Sequence, residues 1–198
     1  MVPVPFAGHL WYDAIFIVTY VAWLVFEIVT GRSRKSADPA RARDRGSYWF
    51  LVSMIWVGLA LAFTSCFGLQ RAAIPWIRTE LFFTGIALMW AGIGFRYYAM
   101  RVLGRYFTFQ VDTHAGQTVI EAGPYRYIRH PSYTGALITV FGLGLVLGNW
   151  VSIIALLACV SVGYAYRIRV EEAALVSALG QPYSEYMRRT ARLVPFVL

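Results

Sequence analysis

Arg167, Arg169, Glu171 and Glu172 place four ionisable residues within six positions. Arginine forks hold carboxylate or phosphate oxygens two at a time, while carboxylates attract cations. A second polar run, Tyr125 to His130, leads into Pro131. The residue before a proline is biased toward extended backbone, and proline suits the first position of a helix. The loop therefore delivers Tyr125, Arg129 and His130 to a helix N-terminus, whose free N–H groups favour an anion or a polar ligand. Arg96 closes the apolar run Leu81–Phe95, a setting in which an ionisable group is a functional suspect by default. A plainer reading covers the same residues, with Tyr and Arg as interfacial anchors and Arg snorkelling beside acidic partners. There is no HExxH, GxSxG or P-loop. His9, His114 and His130 are scattered, and Cys66 and Cys159 lie in apolar stretches, so neither a metal site nor a disulfide framework is expected. Catalysis would come from Arg, Glu, Tyr and His arranged around a bound cofactor or lipid.

The elements that must position these groups follow from composition. The chain has 198 residues, of which 59% are hydrophobic, 17% aromatic and only 14% charged. Soluble domains run nearer a quarter charged, so an all-α integral membrane fold is expected. A helix crosses a ~30 Å hydrocarbon core with about 20 residues. Leu10–Val29, Ser47–Gln70 and Leu81–Phe95 (extending to about Met100) each predict a span. Pro131–Tyr166 runs without a charge and is too long for one, so Gly148-Asn149 is the expected turn of a tight hairpin. The fifth helix is predicted over Trp150–Leu179, stopped by Gly180 and Pro182, with its last turns protruding. Gly144-xxx-Gly148 is expected to be a small-residue helix contact.

About five transmembrane helices follow, with a cytoplasmic cofactor-binding loop. No internal repeat or second domain is evident, so residues 1–198 form a single membrane domain: 1–100 hold three spans, and 101–198 hold the loop, the hairpin and the C-terminal segment. The net charge of +8 is not spread evenly. Sixteen of the 18 basic residues fall on one side, with Arg71 and Arg78 opposite. The positive-inside bias then puts the N-terminus outside and the C-terminus in the cytoplasm. The start Met1-Val2-Pro3-Val4-Pro5 lacks a basic n-region, so the first span is not expected to be a cleaved signal peptide. Nucleic acid is not an expected partner, because the basic residues lie between apolar segments.

The run Gly123-Pro124-Tyr125-Arg126-Tyr127-Ile128-Arg129-His130-Pro131-Ser132-Tyr133-Thr134-Gly135 resembles the signature of the isoprenylcysteine carboxyl methyltransferase family. Three further stretches match in order and spacing: Leu103 to Thr108; Arg167-xxx-Glu171-Glu172 followed by Leu179 to Tyr186; and Arg192-Leu193-Val194-Pro195-Phe196. Residues 95–198 carry the resemblance, about half the chain. The same features occur in phospholipid N-methyltransferases and, in related form, in membrane sterol reductases.

The resemblance implies an integral-membrane methyltransferase that uses S-adenosyl-L-methionine without a Rossmann domain. By position, Gln117, Val119, Gly123, Tyr125, Arg129, His130, Tyr133, Glu171 and Glu172 would bind the cofactor. Gln117 stands where many members have histidine. Arg96 and Arg167 correspond to the arginines that hold the substrate carboxylate. The expected substrate is a prenylcysteine-like or other lipidic acid, met at the membrane surface. The location would be a bacterial inner membrane or a membrane of the endoplasmic reticulum type. Three alternatives stand beside it: a phospholipid amine N-methyltransferase, an NADPH-dependent sterol-type reductase, and a non-enzymatic membrane protein. In-line methyl transfer needs alignment and water exclusion rather than a metal. Carboxylates and aromatic faces suit a sulfonium cation.

Overall fold

A computed structural model describes residues 10–32, 46–104 and 119–195, with side chains described from Leu10 to Thr30 in the first of these. Gln117, His9, His114 and most of the Leu103–Thr108 motif lie outside the described residues. The described chain forms α1 (Leu10–Arg32), α2 (Ser47–Gly68), α3 (Arg78–Leu103), α4 (Pro131–Leu147), α5 (Trp150–Leu179) and α6 (Gln181–Arg189), with short 3-10 turns at Gln70–Ala72 and Gly123–Arg126. No strand occurs among the described residues.

Three helices are long and apolar enough to cross a membrane: Leu10–Thr30, Ser47–Gly68 and Trp150–Leu179. The 17-residue α4 is a shorter apolar helix, and the 26-residue α3 is long enough to cross but carries the buried Arg96. The all-α membrane architecture expected from the sequence is thus present. α5 has the expected bounds. Its 30 residues measure ~45 Å against a ~30 Å core, so the stretch beyond about Arg169 lies outside the span.

The main packing runs α3 on α4, α4 on α5 and α5 on α2, with lighter contacts of α1 on α3 and of α2 on α4. The α3–α4 seam is built from glycines seven residues apart. A Cβ on Gly92 would fall 2.6 Å from the carbonyl oxygen of Gly135, and one on Gly142 would fall 2.6 Å from that of Gly85. These two backbones touch, as small residues allow in a bilayer. The seam fixes Arg96, because a Cβ on Gly135 would sit 2.8 Å from the Arg96 backbone nitrogen. The expected Gly144/Gly148 helix contact holds for Gly144 alone, where a Cβ would fall 3.1 Å from the Ile153 Cα of α5. Gly148 (φ 60°) instead ends α4 in the left-handed region that glycine adopts without strain.

Gly92→Leu should therefore wedge α3 from α4 and destabilise the protein by about 1–3 kcal/mol, the usual cost of overpacking. Gly94→Ala, with open space around its Cβ, is the matched control and should leave the melting temperature in detergent unchanged or slightly raised.

The hairpin turn is anchored as well as tight. Asn149 caps α5 by accepting hydrogen bonds from the backbone N–H of Val151 (2.9 Å) and Ser152 (3.2 Å). Its amide nitrogen donates to the carbonyls of Ser65 (3.3 Å) and Leu69 (3.0 Å), tying the hairpin to the end of α2. At the opposite end, Gly180 (φ 65°) closes α5 and Pro182 lies in the first turn of α6. The proline that stops one helix thus starts the next.

Candidate active site

His130 forms the N-cap of α4 and Pro131 its first position, as the dipeptide predicts. The chain before it is stapled to the C-terminal segment. The N–H groups of Arg129 and His130 donate to the carbonyls of Ala191 (2.8 Å) and Arg192 (3.0 Å), and Thr134 Oγ1 donates to Leu193 (2.6 Å). The buried Tyr125 lies in the 3-10 turn opened by Gly123, and its carbonyl accepts from Tyr186 Oη at 2.7 Å. Loop, C-terminal segment and α6 therefore form one polar unit at the protruding end of α5.

Glu172 is the hub of that unit. Its buried carboxylate accepts from Arg129 Nε (2.9 Å), faces His130 Nε2 (3.4 Å) and pairs with Arg192 Nη2 (3.1 Å). Burial alone would raise its pKa. Hydrogen bonds from His130, Arg192 and Arg129 outweigh burial and hold it at about 2, against an ordinary 4.5. Arg129 spends its remaining contacts on the C-terminal end of α6, donating from Nη1 to the carbonyls of Met187 (2.8 Å) and Thr190. In the described geometry Arg129 is a strut between α6 and Glu172.

Glu171 differs from its neighbour. Its half-buried carboxylate accepts from Tyr133 Oη at 2.6 Å and lies 4.0 Å from His130 Nδ1. It is the more available of the two acids for a cation.

Three rings connect this acidic side to the arginines. His130 stacks on Tyr133 (5.4 Å between centroids, 3° between planes), and Tyr133 stacks on Tyr164 (4.6 Å, 28°). Arg96 donates from Nη1 to Tyr164 Oη (3.2 Å) and to the Ser132 carbonyl (3.4 Å), while its Nη2 pairs with Glu27 of α1 at 3.1 Å. Arg167, also buried, donates to Ser47 Oγ at the start of α2 (2.8 Å) and hydrogen-bonds Tyr133. Tyr133 thus touches both Glu171 and Arg167.

Of the predicted residues, Arg96, Arg129, His130, Tyr133, Arg167, Glu171 and Glu172 converge on this one cluster. Tyr125 and Gly123 lie in the adjoining turn, and Val119 precedes it. Residues not singled out beforehand are Glu27, Ser47, Tyr164 and, as a partner of Glu172, Arg192. Glu27 carried a signal, an acid inside an apolar helix. Ser47 and Tyr164 carried none, because a serine or tyrosine in a greasy run is ordinary. A separate open groove of about 480 Å³ lies between α2 and α5, lined by Gly46, Phe50, Val162, Ala165, Tyr166 and Arg169. None of these residues belongs to the ring cluster.

Chemically, the cluster has a cation-accepting pole at Glu171 and an anion-accepting pole at Arg96 and Arg167, joined through Tyr133 and the stacked rings. The family model of phospholipid methyltransferase matches residues 80–182. A probable protein-S-isoprenylcysteine O-methyltransferase of Oryza sativa subsp. indica is 31% identical over 144 residues, covering 70% of this chain and 75% of that one. Protein-S-isoprenylcysteine O-methyltransferase A of Arabidopsis thaliana is 37% identical over 57% of this chain and 58% of its own length. The Schizosaccharomyces pombe protein-S-isoprenylcysteine O-methyltransferase is 31% identical over 48% of this chain and 46% of its own length. The chain thus spans about half the length of these last two relatives. A solved structure of a eukaryotic intramembrane Ras methyltransferase, isoprenylcysteine carboxyl methyltransferase, shares the fold with a TM-score of 0.61 and 22% identity, over 94% of this chain and 65% of that one. Taken with the signature residues gathered at the head of α4 and the end of α5, these matches show that the chain belongs to the phospholipid methyltransferase family and, within it, to the isoprenylcysteine carboxyl methyltransferases.

Proposed function

We propose that this chain is an S-adenosyl-L-methionine-dependent methyltransferase acting on the carboxylate of a prenylcysteine-like lipid. The observation that carries the reading is the gathering of two buried arginines, Arg96 and Arg167, and the acid Glu171 around the Tyr164–Tyr133–His130 stack. A carboxylate acceptor and a cationic donor need both kinds of group side by side.

The donor set suits a sulfonium. Glu171 offers charge, Tyr133 and His130 offer ring faces, and the cluster is buried enough to keep those attractions strong. When bound, S-adenosyl-L-methionine supplies an electrophilic methyl: an O–CH3 bond forms as the S–CH3 bond breaks, and the opposite charges of carboxylate and sulfonium disappear together. No proton moves, so the chain needs no general base. Arg96 and Arg167 orient the carboxylate, leaving one oxygen lone pair aimed along the line of transfer. Their existing partners, Glu27, Tyr164, Ser47 and Tyr133, keep them from drawing so much charge off the oxygen that it stops attacking. Glu172 and Arg129 act one layer out by holding His130 and the C-terminal segment against the stack. Gly123, Tyr125, Val119 and Gln117 complete the donor side in this reading, on a single membrane domain.

A membrane location explains the build. A lipid tail stays in hydrocarbon while its polar head meets a water-soluble donor at the protruding end of α5. The excess of basic residues supports a cytoplasmic position for that end, at a bacterial inner membrane or a membrane of the endoplasmic reticulum type. Calorimetry with S-adenosylhomocysteine on the detergent-purified chain tests the donor half. Micromolar binding is expected, and no heat at millimolar ligand would refute it.

A further inference from the structure

Glu27, one of the partners that temper the arginines, makes an ion pair with Arg96, one of the two proposed carboxylate-holding groups. It sits on α1, the helix least enclosed by the bundle, where Thr19 and Trp23 are the buried positions among the described side chains. Thr19, Trp23 and Glu27 recur every fourth residue and so form one stripe along the helix. Thr19 accepts from Trp90 Nε1 of α3 (3.2 Å), and Glu27 takes Arg96 Nη2 (3.1 Å) while its other oxygen accepts from Trp23 Nε1 (3.3 Å). The stripe thus aims one carboxylate at Arg96 from the α1 side. The partners differ in enclosure: the Arg96 side chain is 6% exposed and that of Glu27 29%.

Resting on the proposed function, we infer that Glu27 is a positioning residue that competes with the substrate carboxylate for Arg96 and so moderates the preference for acid over ester. The guanidinium has two terminal nitrogens. Nη1 donates to Tyr164 and the Ser132 carbonyl and Nη2 donates to Glu27, so a carboxylate approaching Nη2 meets Glu27 there. Two carboxylates at one guanidinium repel each other, and the more exposed Glu27 is the one able to yield. Methylation removes the charge from the substrate. The neutral ester no longer rivals Glu27, so Arg96 returns to Glu27 and the product is released. The ion pair therefore weakens acid binding moderately and leaves ester affinity nearly unchanged, so it narrows the gap between acid and ester.

The test measures affinity of N-acetyl-S-prenylcysteine and of its methyl ester for the full chain in lipid nanodiscs, with kcat and KM for the acid alongside. Glu27→Gln preserves the shape and an oxygen acceptor for Trp23 but removes the charge. It should tighten acid binding and lower KM about fivefold, with ester affinity changed less than about twofold. Glu27→Asp, which keeps the charge, should restore the parent preference for the most part. Acid and ester affinities that shift together, or acid binding that is unchanged or weaker in Glu27→Gln while the parent binds acid normally, would overturn the inference alone. A parent chain that binds neither compound would overturn the functional reading and the inference with it.

Discussion

Glu172→Ala should undock the C-terminal segment and remove donor binding in one step. The substitution strips the carboxylate from Arg129, whose side chain is 8% exposed, and from His130 and Arg192. Breaking a buried pair by removing one partner costs about 3–5 kcal/mol, because the other charge is left uncompensated. The loss should appear as a lower melting temperature in detergent and faster hydrogen exchange at residues 190–193. Affinity for S-adenosylhomocysteine should fall at least about tenfold, since His130 loses its support. Glu172→Gln keeps an acceptor for Arg129 and should be milder in both respects. Acid provides the same test without mutation. A carboxyl whose folded pKa is depressed stabilises above its unfolded value and loses that contribution as pH falls. With the Glu172 carboxyl at about 2 against 4.5, the segment should remain docked at pH 5 and release between about pH 4.5 and 2. Unchanged protection of residues 190–193 in Glu172→Ala would show that the clamp is held by the backbone pairing alone.

Arg167→Lys is the second large effect expected, and it is a loss of rate. Lysine keeps the positive charge but lacks the planar fork that meets a carboxylate, Ser47 and Tyr133 at once. Loss of alignment should lower kcat by about a hundredfold or more. Donor affinity should change less than about twofold, because the acid facing the donor, Glu171, is held through Tyr133 by a separate hydrogen bond of 2.6 Å. Steady-state kinetics on a prenylcysteine acid, paired with calorimetry on S-adenosylhomocysteine, separates the two. Equal losses in donor affinity and turnover would dissolve the division into two poles.

Helix bounds were legible because their signals are local. Apolar runs, Gly148-Asn149, Gly180 and Pro131 mark ends that depend on neighbouring residues, and the α4–α5 hairpin follows from them. The convergence of Arg96, His130, Arg167, Glu171 and Glu172 was legible as well, since ionisable groups are scarce in so apolar a chain, whereas Tyr133 came from the family signature. Other features depend on which helix lies beside which. The Arg96–Glu27 pair joins positions 69 apart, and the Arg167–Ser47 bond joins positions 120 apart. The choice of glycine seam had the same cause. Gly144 and Gly148 have helix-contact spacing, yet the turn requires Gly148 as a cap, so α3 packs on Gly135 and Gly142. Arg129 illustrates a third limit. Its sequence neighbours mark it as part of the site, but only the position of α6 shows its donors directed to Glu172, Met187 and Thr190.

The acceptor is the central claim. The matched family model is that of phospholipid methyltransferases, so a lipid amine is the competing acceptor. Arg96 and Arg167 would repel an ammonium held where the carboxylate is proposed, although they could hold a phosphate beside it. Methyl-labelled S-adenosylmethionine should be given to the reconstituted chain with a prenylcysteine acid and phosphatidylethanolamine present together. The account predicts label in the prenylcysteine as a base-labile methyl ester. Label that is stable to base and found on the phospholipid amine would contradict it.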